Sequence, residues 1–204
     1  PTPTPTPTPS PAPCGSPTNY PNLATIQTND GAAGTPYPSQ INVAGLSGTV
    51  TKLTVTLNTF NHSFPDDVDV MLVGPQGQNI VILSDVGGRI PATGVTLTLD
   101  DAALASLPDE GPLVSGSFKP TDMEPGETFP SPAPAASGAT ALSVFNGTDP
   151  NGTWSLYVRD DTNLDSGSFG GWSIDITTNC SGGTPTPTPT PADACVSSNT
   201  LLTD

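Results

Sequence analysis

Positive charge is nearly missing from this sequence. Four Lys and Arg stand against 19 Asp and Glu, a formal net charge of -15, and such a surface repels nucleic-acid phosphates and anionic membranes but not divalent cations. Histidine occurs once, at His62, which leaves a zinc site short of ligands. No apolar run approaches the roughly 18 to 20 residues of a membrane-spanning helix, so no membrane insertion is expected. No basic-then-apolar leader opens the chain, which begins inside a linker. With charged residues at 11 % of 204, and 26 Pro and 21 Gly, there is room for one ordinary domain plus low-complexity segments.

What is abundant is Pro-Thr repeat. Residues 1–13 and 183–193 carry PTPTPTPTPSPAP and TPTPTPTP runs that bury no apolar surface and favour extended polyproline II, as semi-rigid linkers. Thr2, Thr4, Thr6, Thr8, Thr184, Thr186, Thr188 and Thr190 are candidate O-linked positions. Asn61, Asn146 and Asn151 are candidate N-linked ones. Residues 194–204 resume with a cysteine, like the segment after the first linker, and read as the start of a further module. Cys14 and Cys180 stand just inside the two linkers, where a bridge would tie the first and last strands of one domain spanning 14–182, leaving Cys195 to the next module. Such a bridge adds about 5 kcal/mol at most in the chain-entropy account and implies an extracellular or cell-surface location. Three free thiols are the alternative.

Between those cysteines the apolar period is two. Leu53, Val55 and Leu57, then Val68, Val70 and Leu72, then Val95, Leu97 and Leu99 each predict a half-buried strand, as do Trp154, Leu156 and Val158 and Trp172, Ile174 and Ile176. Ile80 to Leu83 is continuous and predicts a fully buried strand. Gly-Pro, Gly-Gly and Asp-Pro-Asn-Gly turns separate them. A short helix is predicted only over Asp100 to Leu107. The sum is an all-β, antiparallel, jelly-roll-like β-sandwich flanked by extended linkers.

In chemistry the chain is poor. His62 has no Gly-x-Ser-x-Gly elbow to serve, so a Ser-His-Asp hydrolase is not expected. Asp165-Ser166-Gly167 matches the aspartic-protease tripeptide, but a second copy and the downstream apolar-Gly segment are both missing. Calcium is the stronger expectation, since hard cations take oxygens from acidic pairs at strand ends. Asp67, Asp101 and Asp160 directly flank strands, with Asp66, Asp69, Asp100, Asp161 and Asp165 beside them; solvated surface carboxylates are the alternative.

The blocks HSFPDDVDVMLVGPQGQNIVILSDVGG, LDDAA and LSVFNGTDPNGTWSLYVRDDTNLDSGSFGGWSIDI occur in this order and resemble the P domain, or Homo B domain, of proprotein convertases and bacterial secreted proteins, over roughly Ile26 to Ile176. The resemblance implies a jelly-roll sandwich without catalytic residues, a histidine that belongs to the fold, and loops that bind calcium in some members. It implies also a place C-terminal to a subtilisin-like protease. Two functions are therefore expected: a structural or adhesive module, with neighbouring modules or self-assembly into an array or filament as partners, or an accessory domain of a secreted subtilisin-like protease or other hydrolase.

Overall fold

The structure, a computed structural model, describes residues 14–179. The linkers, their threonines, Cys180, Cys195 and residues 194–204 lie outside the described residues.

Two sheets face each other. The first carries seven strands: β1 (Thr18–Asn22), β2 (Ile26–Thr28), β4 (Val50–His62), β7 (Ala92–Leu99), β8 (Gly116–Phe118), β11 (Gly167–Phe169) and β12 (Gly171–Thr178). The second carries five, in the order β3 (Ser39–Val43), β10 (Gly152–Asp160), β5 (Val68–Val73), β6 (Asn79–Ser84) and β9 (Thr121–Asp122). Pairing is antiparallel except at two edges, where β8 joins β7 and β9 joins β6 in parallel. The molecule is thus an all-β sandwich, as the alternation predicts.

The period-two residues fill its interior. Leu53, Val55 and Leu57 of β4, Trp154, Leu156 and Val158 of β10, and Trp172, Ile174 and Ile176 of β12 are all buried. Phe60 of β4 stacks on Phe169 of the neighbouring strand β11, near-parallel and at 4.4 Å between ring centres. The two indoles also need partners for their N–H groups, and they have them: Trp154 donates to the Pro150 carbonyl at 2.9 Å and Trp172 to Ser39 Oγ at 2.9 Å.

One irregularity breaks the alternation. Inward positions on β4 run 53, 55, 57 and then 60, 62, because the register shifts between Leu57 and Phe60 and Thr59 takes a φ of 51°. The extra residue is a β-bulge. It turns Phe60 and His62 into the core, where unbroken alternation would have placed Thr59 and Asn61.

Two expectations need correcting. Val68–Val73 is buried at every position rather than at alternate ones. Its outer face is covered by the 119–140 segment, so that Met71, Val73 and Tyr157 form a second small apolar cluster with Tyr37, Phe129, Ala133 and Ala136. Asp100 to Leu107 is not a helix. The Asp100 carboxylate takes the Ala102 N–H and its carbonyl takes the Ala103 N–H, both at 2.9 Å, which closes a single turn. Such a side chain competes with helix propagation. Beyond the turn, Ala105 and Leu107 bond to the segment around Lys119 and Thr121 instead.

Near the two ends of the described residues the Gly15 N–H donates to the Thr178 carbonyl at 3.0 Å. The Cys14 end of the domain therefore lies against the end of β12.

Candidate functional site

His62 is where the two sheets meet. It ends β4 of the first sheet, and its Nε2 lies 3.1 Å from Oδ2 of Asp160, which ends β10 of the second; neither side chain has any exposure. With the Nε2 proton on Asp160, Nδ1 faces the Phe64 backbone, 2.8 Å from its carbonyl oxygen and 3.2 Å from its nitrogen. A neutral ring accepts from that N–H, and a protonated ring donates to that carbonyl. Either way both ring nitrogens are committed within the fold. Asp160 is further held by the N–H groups of Gly31 at 3.3 Å and Thr162 at 3.2 Å. Burial raises its pKa, and the His62 partner works against that rise.

The strand-end aspartates divide into separate places. Asp67 is buried, and its pKa is pushed up to about 6 by that burial first and then by the charges of Asp160, Asp165, Asp161 and Asp66. The Asp66 pKa is raised first by its own burial and then by the charges of Asp85, Asp109 and Glu110, with the Gly88 N–H opposing. Across the molecule Asp101 accepts the N–H groups of Leu142 at 2.8 Å and Ser143 at 2.9 Å, opening the 3-10 turn Leu142–Phe145. Its neighbour Asp100 pairs with Lys52 at 2.8 Å. Asp101 thus stands on a different loop from Asp67 and Asp160.

The tripeptide at Asp165 has a structural explanation. Asp165 accepts a hydrogen bond from the Ser63 hydroxyl, and Gly167 opens β11 opposite both Thr28 and His62. A Cβ at Gly167 would stand 2.6 Å from His62 Cδ2, so the position requires glycine.

A third acidic group was not legible as one. Asp69, on the outer face of β5, is 2 % exposed at its side chain, and one of its oxygens, Oδ1, accepts from Ser84 Oγ at 2.8 Å. Ser84 Oγ also lies 2.7 Å from Asp85 Oδ2. Arg159 crosses the group from β10, with Nε 3.7 Å from Asp69 Oδ2, Nη1 3.3 Å from Glu127 Oε2 and Nη2 3.2 Å from Asp161 Oδ2; Nη1 also donates to the Thr128 carbonyl. Burial drives the Asp69 pKa well up, with Ser84 opposing the rise and the Glu127 charge adding to it. Of these residues Asp85 comes just after β6, separated from the apolar run Ile80 to Leu83 by Ser84, a weak signal of a ligand at a strand end. Glu127 lies in a Pro-Gly stretch with no periodicity.

Glu127 and Asp122 also line a cleft of about 660 Å³ between the 119–140 segment and β6, with Val81, Met123, Phe129 and Ala136. Its lining holds no histidine, cysteine or lysine.

The candidate N-linked positions differ from one another. Asn146 is exposed. Asn151 holds the Leu46 backbone at both of its polar groups, and Asn61 accepts the Gly94 N–H at 2.8 Å.

No family model matches this chain, and no curated protein matches it. Among solved structures, a serine protease of Aeromonas sobria in complex with its chaperone is similar at 16 % identity and a TM-score of 0.37, covering 80 % of this chain and 27 % of that one. The serine protease of Aeromonas sobria described without the chaperone is similar at 15 % identity and a TM-score of 0.35, covering 86 % of this chain and 28 % of that one. This chain therefore spans between a quarter and a third of the length of either.

Proposed function

We propose that this chain is a non-catalytic, P-domain-like β-sandwich module of an extracellular or surface-attached multi-module protein, with a structural or adhesive task. The single observation that carries the reading is the commitment of His62. A general base must reach its substrate's proton or a nucleophile beside it, and here both imidazole nitrogens are bonded inside the fold without solvent exposure. Asp160 resembles the orienting carboxylate of a triad, but it serves instead to join the two sheets.

The stretches that resemble a P domain support the same reading, since they supply the end of β4 at His62, β5 and β6, and most of β10 to β12. The Gly15 to Thr178 hydrogen bond supports a Cys14–Cys180 bridge, and with it the oxidising compartment. Pro-Thr linkers on both sides fit a rigid bead between spacers, joined to neighbouring modules or to further copies.

The test is turnover. The purified chain is assayed on casein and on a generic ester, beside His62→Ala. No turnover by either, together with a lower melting temperature for the variant, is the expected result. Hydrolysis by the natural chain that is abolished in the variant overturns the proposal.

A further inference from the structure

We propose that Asp69, Asp85 and Glu127, with Asp122 beside them, hold one calcium ion that ties the 121–129 segment to the outer face of the five-stranded sheet. The site is new relative to the sequence expectation, which centred on Asp67, Asp101 and Asp160, and it stands whether or not the module reading holds.

The first observation is convergence. Among the described residues, one group of three ligand-type side chains closes to within 4.8 Å oxygen to oxygen, and it is Asp69, Asp85 and Glu127. Calcium binds oxygens at about 2.3 to 2.6 Å, so ligands on opposite sides of the ion stand roughly 4.6 to 5.2 Å apart. The three oxygens fit on a sphere of that size. They come from β5, from the turn after β6 and from the loop after β9, an irregular set that suits calcium better than the strict octahedron of magnesium.

The second observation is independent of the clustering. Asp69 Oδ2 is buried and has no hydrogen-bond partner, on a side chain that is 2 % exposed. It faces Arg159 Nε at 3.7 Å, beyond hydrogen-bond reach, on the side where the same guanidinium meets Glu127. A buried carboxylate oxygen left in this state is costly, and a metal ligand bond is one of the few ways to satisfy it. Asp122 Oδ1 is likewise buried and unpartnered, and the charges of Asp85 and Glu127 act on it. The Ser84 hydroxyl has one hydrogen for two carboxylate oxygens at 2.8 and 2.7 Å, so it leaves one of them in need of another partner.

Charge decides the class of ligand. Arg159 brings one positive charge to Asp69, Glu127 and Asp161, while Asp85 and Asp122 add two further carboxylates. A divalent cation offsets half of the charge that remains. The rival account of the same residues is a protonated Asp69 hydrogen-bonded to Glu127 beside Arg159 with no ion, and it predicts no response to calcium.

The experiment uses the whole chain, stripped with chelator and titrated with calcium chloride by calorimetry, and then followed by hydrogen exchange with and without the ion. Expected are one calcium bound per chain, slower exchange over residues 121–129, and binding about tenfold weaker or worse in both Asp85→Asn and Glu127→Gln. That is the scale of loss seen even for groups that merely support a ligand. Asp175→Asn, on the other sheet, should bind as the natural chain does, and magnesium should compete poorly. The proposal is overturned by absence of calcium binding, by unchanged affinity in the two variants, or by slowed exchange confined to residues 160–167 with weakening in Asp165→Asn. If a variant fails to fold, the exchange pattern of the natural chain decides alone.

Discussion

Nε2 of His62 and Oδ2 of Asp160, 3.1 Å apart and both fully buried, join the last residue of β4 to the last residue of β10 and so pin one end of the sandwich across its two sheets. Removing one member of such a pair leaves the other buried without compensation, a loss of about 3 to 5 kcal/mol. His62→Ala and Asp160→Ala should each lower stability by about that much in urea unfolding. The double variant should cost clearly less than the sum of the singles, since the pair acts as a unit. Additive losses would mean that the contact contributes nothing of its own.

Asp101 is expected to matter for stability without metal. Its two oxygens take two backbone N–H groups at the start of the 142–145 turn, one each, as an N-terminal cap does. Asp101→Ala should cost about 1 to 2 kcal/mol, with Asp101→Asn, which keeps one acceptor, in between. Melting curves in calcium and in chelator should shift by the same amount for both variants and the natural chain. A calcium-induced shift abolished by Asp101→Ala alone would assign the ion to this loop after all.

Much of this fold was legible, and the reason is that strands facing one core repeat every second residue. Trp154, Leu156 and Val158 point inward as their spacing demands. Legibility fails where a second layer intervenes. Asp69, Met71 and Val73 read as the solvent face of β5, yet the 119–140 segment covers them, and that segment has neither periodicity nor long apolar runs to announce it. Asp69 and Glu127 are brought together by this cover, which is why Asp67, Asp101 and Asp160 stood out in sequence instead. His62 was legible as a residue of the fold, although its inward direction depends on the bulge at Thr59, which shows in sequence as the step from Leu57 to Phe60.

Tyr37 gives a pH response with a definite sign. Its hydroxyl donates to the Pro130 carbonyl at 2.9 Å and its ring meets Tyr157 edge-on at 5.0 Å. Burial, then the neighbouring Tyr157, pushes its pKa up to about 12, with Arg159 opposing. The unfolded chain releases this proton near pH 10. Protons are therefore lost from the unfolded state first, so the contribution of Tyr37 is fully present below pH 10 and declines as pH rises from there through about 12. Absorbance titration at alkaline pH should show a late-ionising phenol that disappears in Tyr37→Phe. The variant should also lose less stability than the natural chain over the same pH window. A Tyr37 that ionises together with an exposed tyrosine would contradict the packing around it.

Sugar attachment separates the three asparagines by what their amides already do. Nδ2 of Asn151 donates to the Leu46 carbonyl and to Asp149 Oδ1, at 2.9 and 2.7 Å, while its Oδ1 accepts the Leu46 N–H at 3.0 Å. A glycan on Nδ2 replaces one of those hydrogens and wedges a bulky group against the loop that carries Leu46. Nδ2 of Asn61 donates to the Thr59 carbonyl at 2.9 Å, beside the bulge that sets the direction of His62. Asn146 sits exposed just after the 142–145 turn. Secreted from a host with N-glycosylation, the chain should carry sugar at Asn146 and none at Asn151, as read by peptide mass spectrometry. Asn146→Gln should leave the melting temperature within about a degree, since surface changes of this kind are nearly neutral. Asn151→Ala should cost roughly 2 kcal/mol for two hydrogen bonds to backbone, about 4 to 8 °C for a domain of this size. Full occupancy at Asn151 in a protein of unchanged stability would show that the Leu46 loop does not depend on that amide.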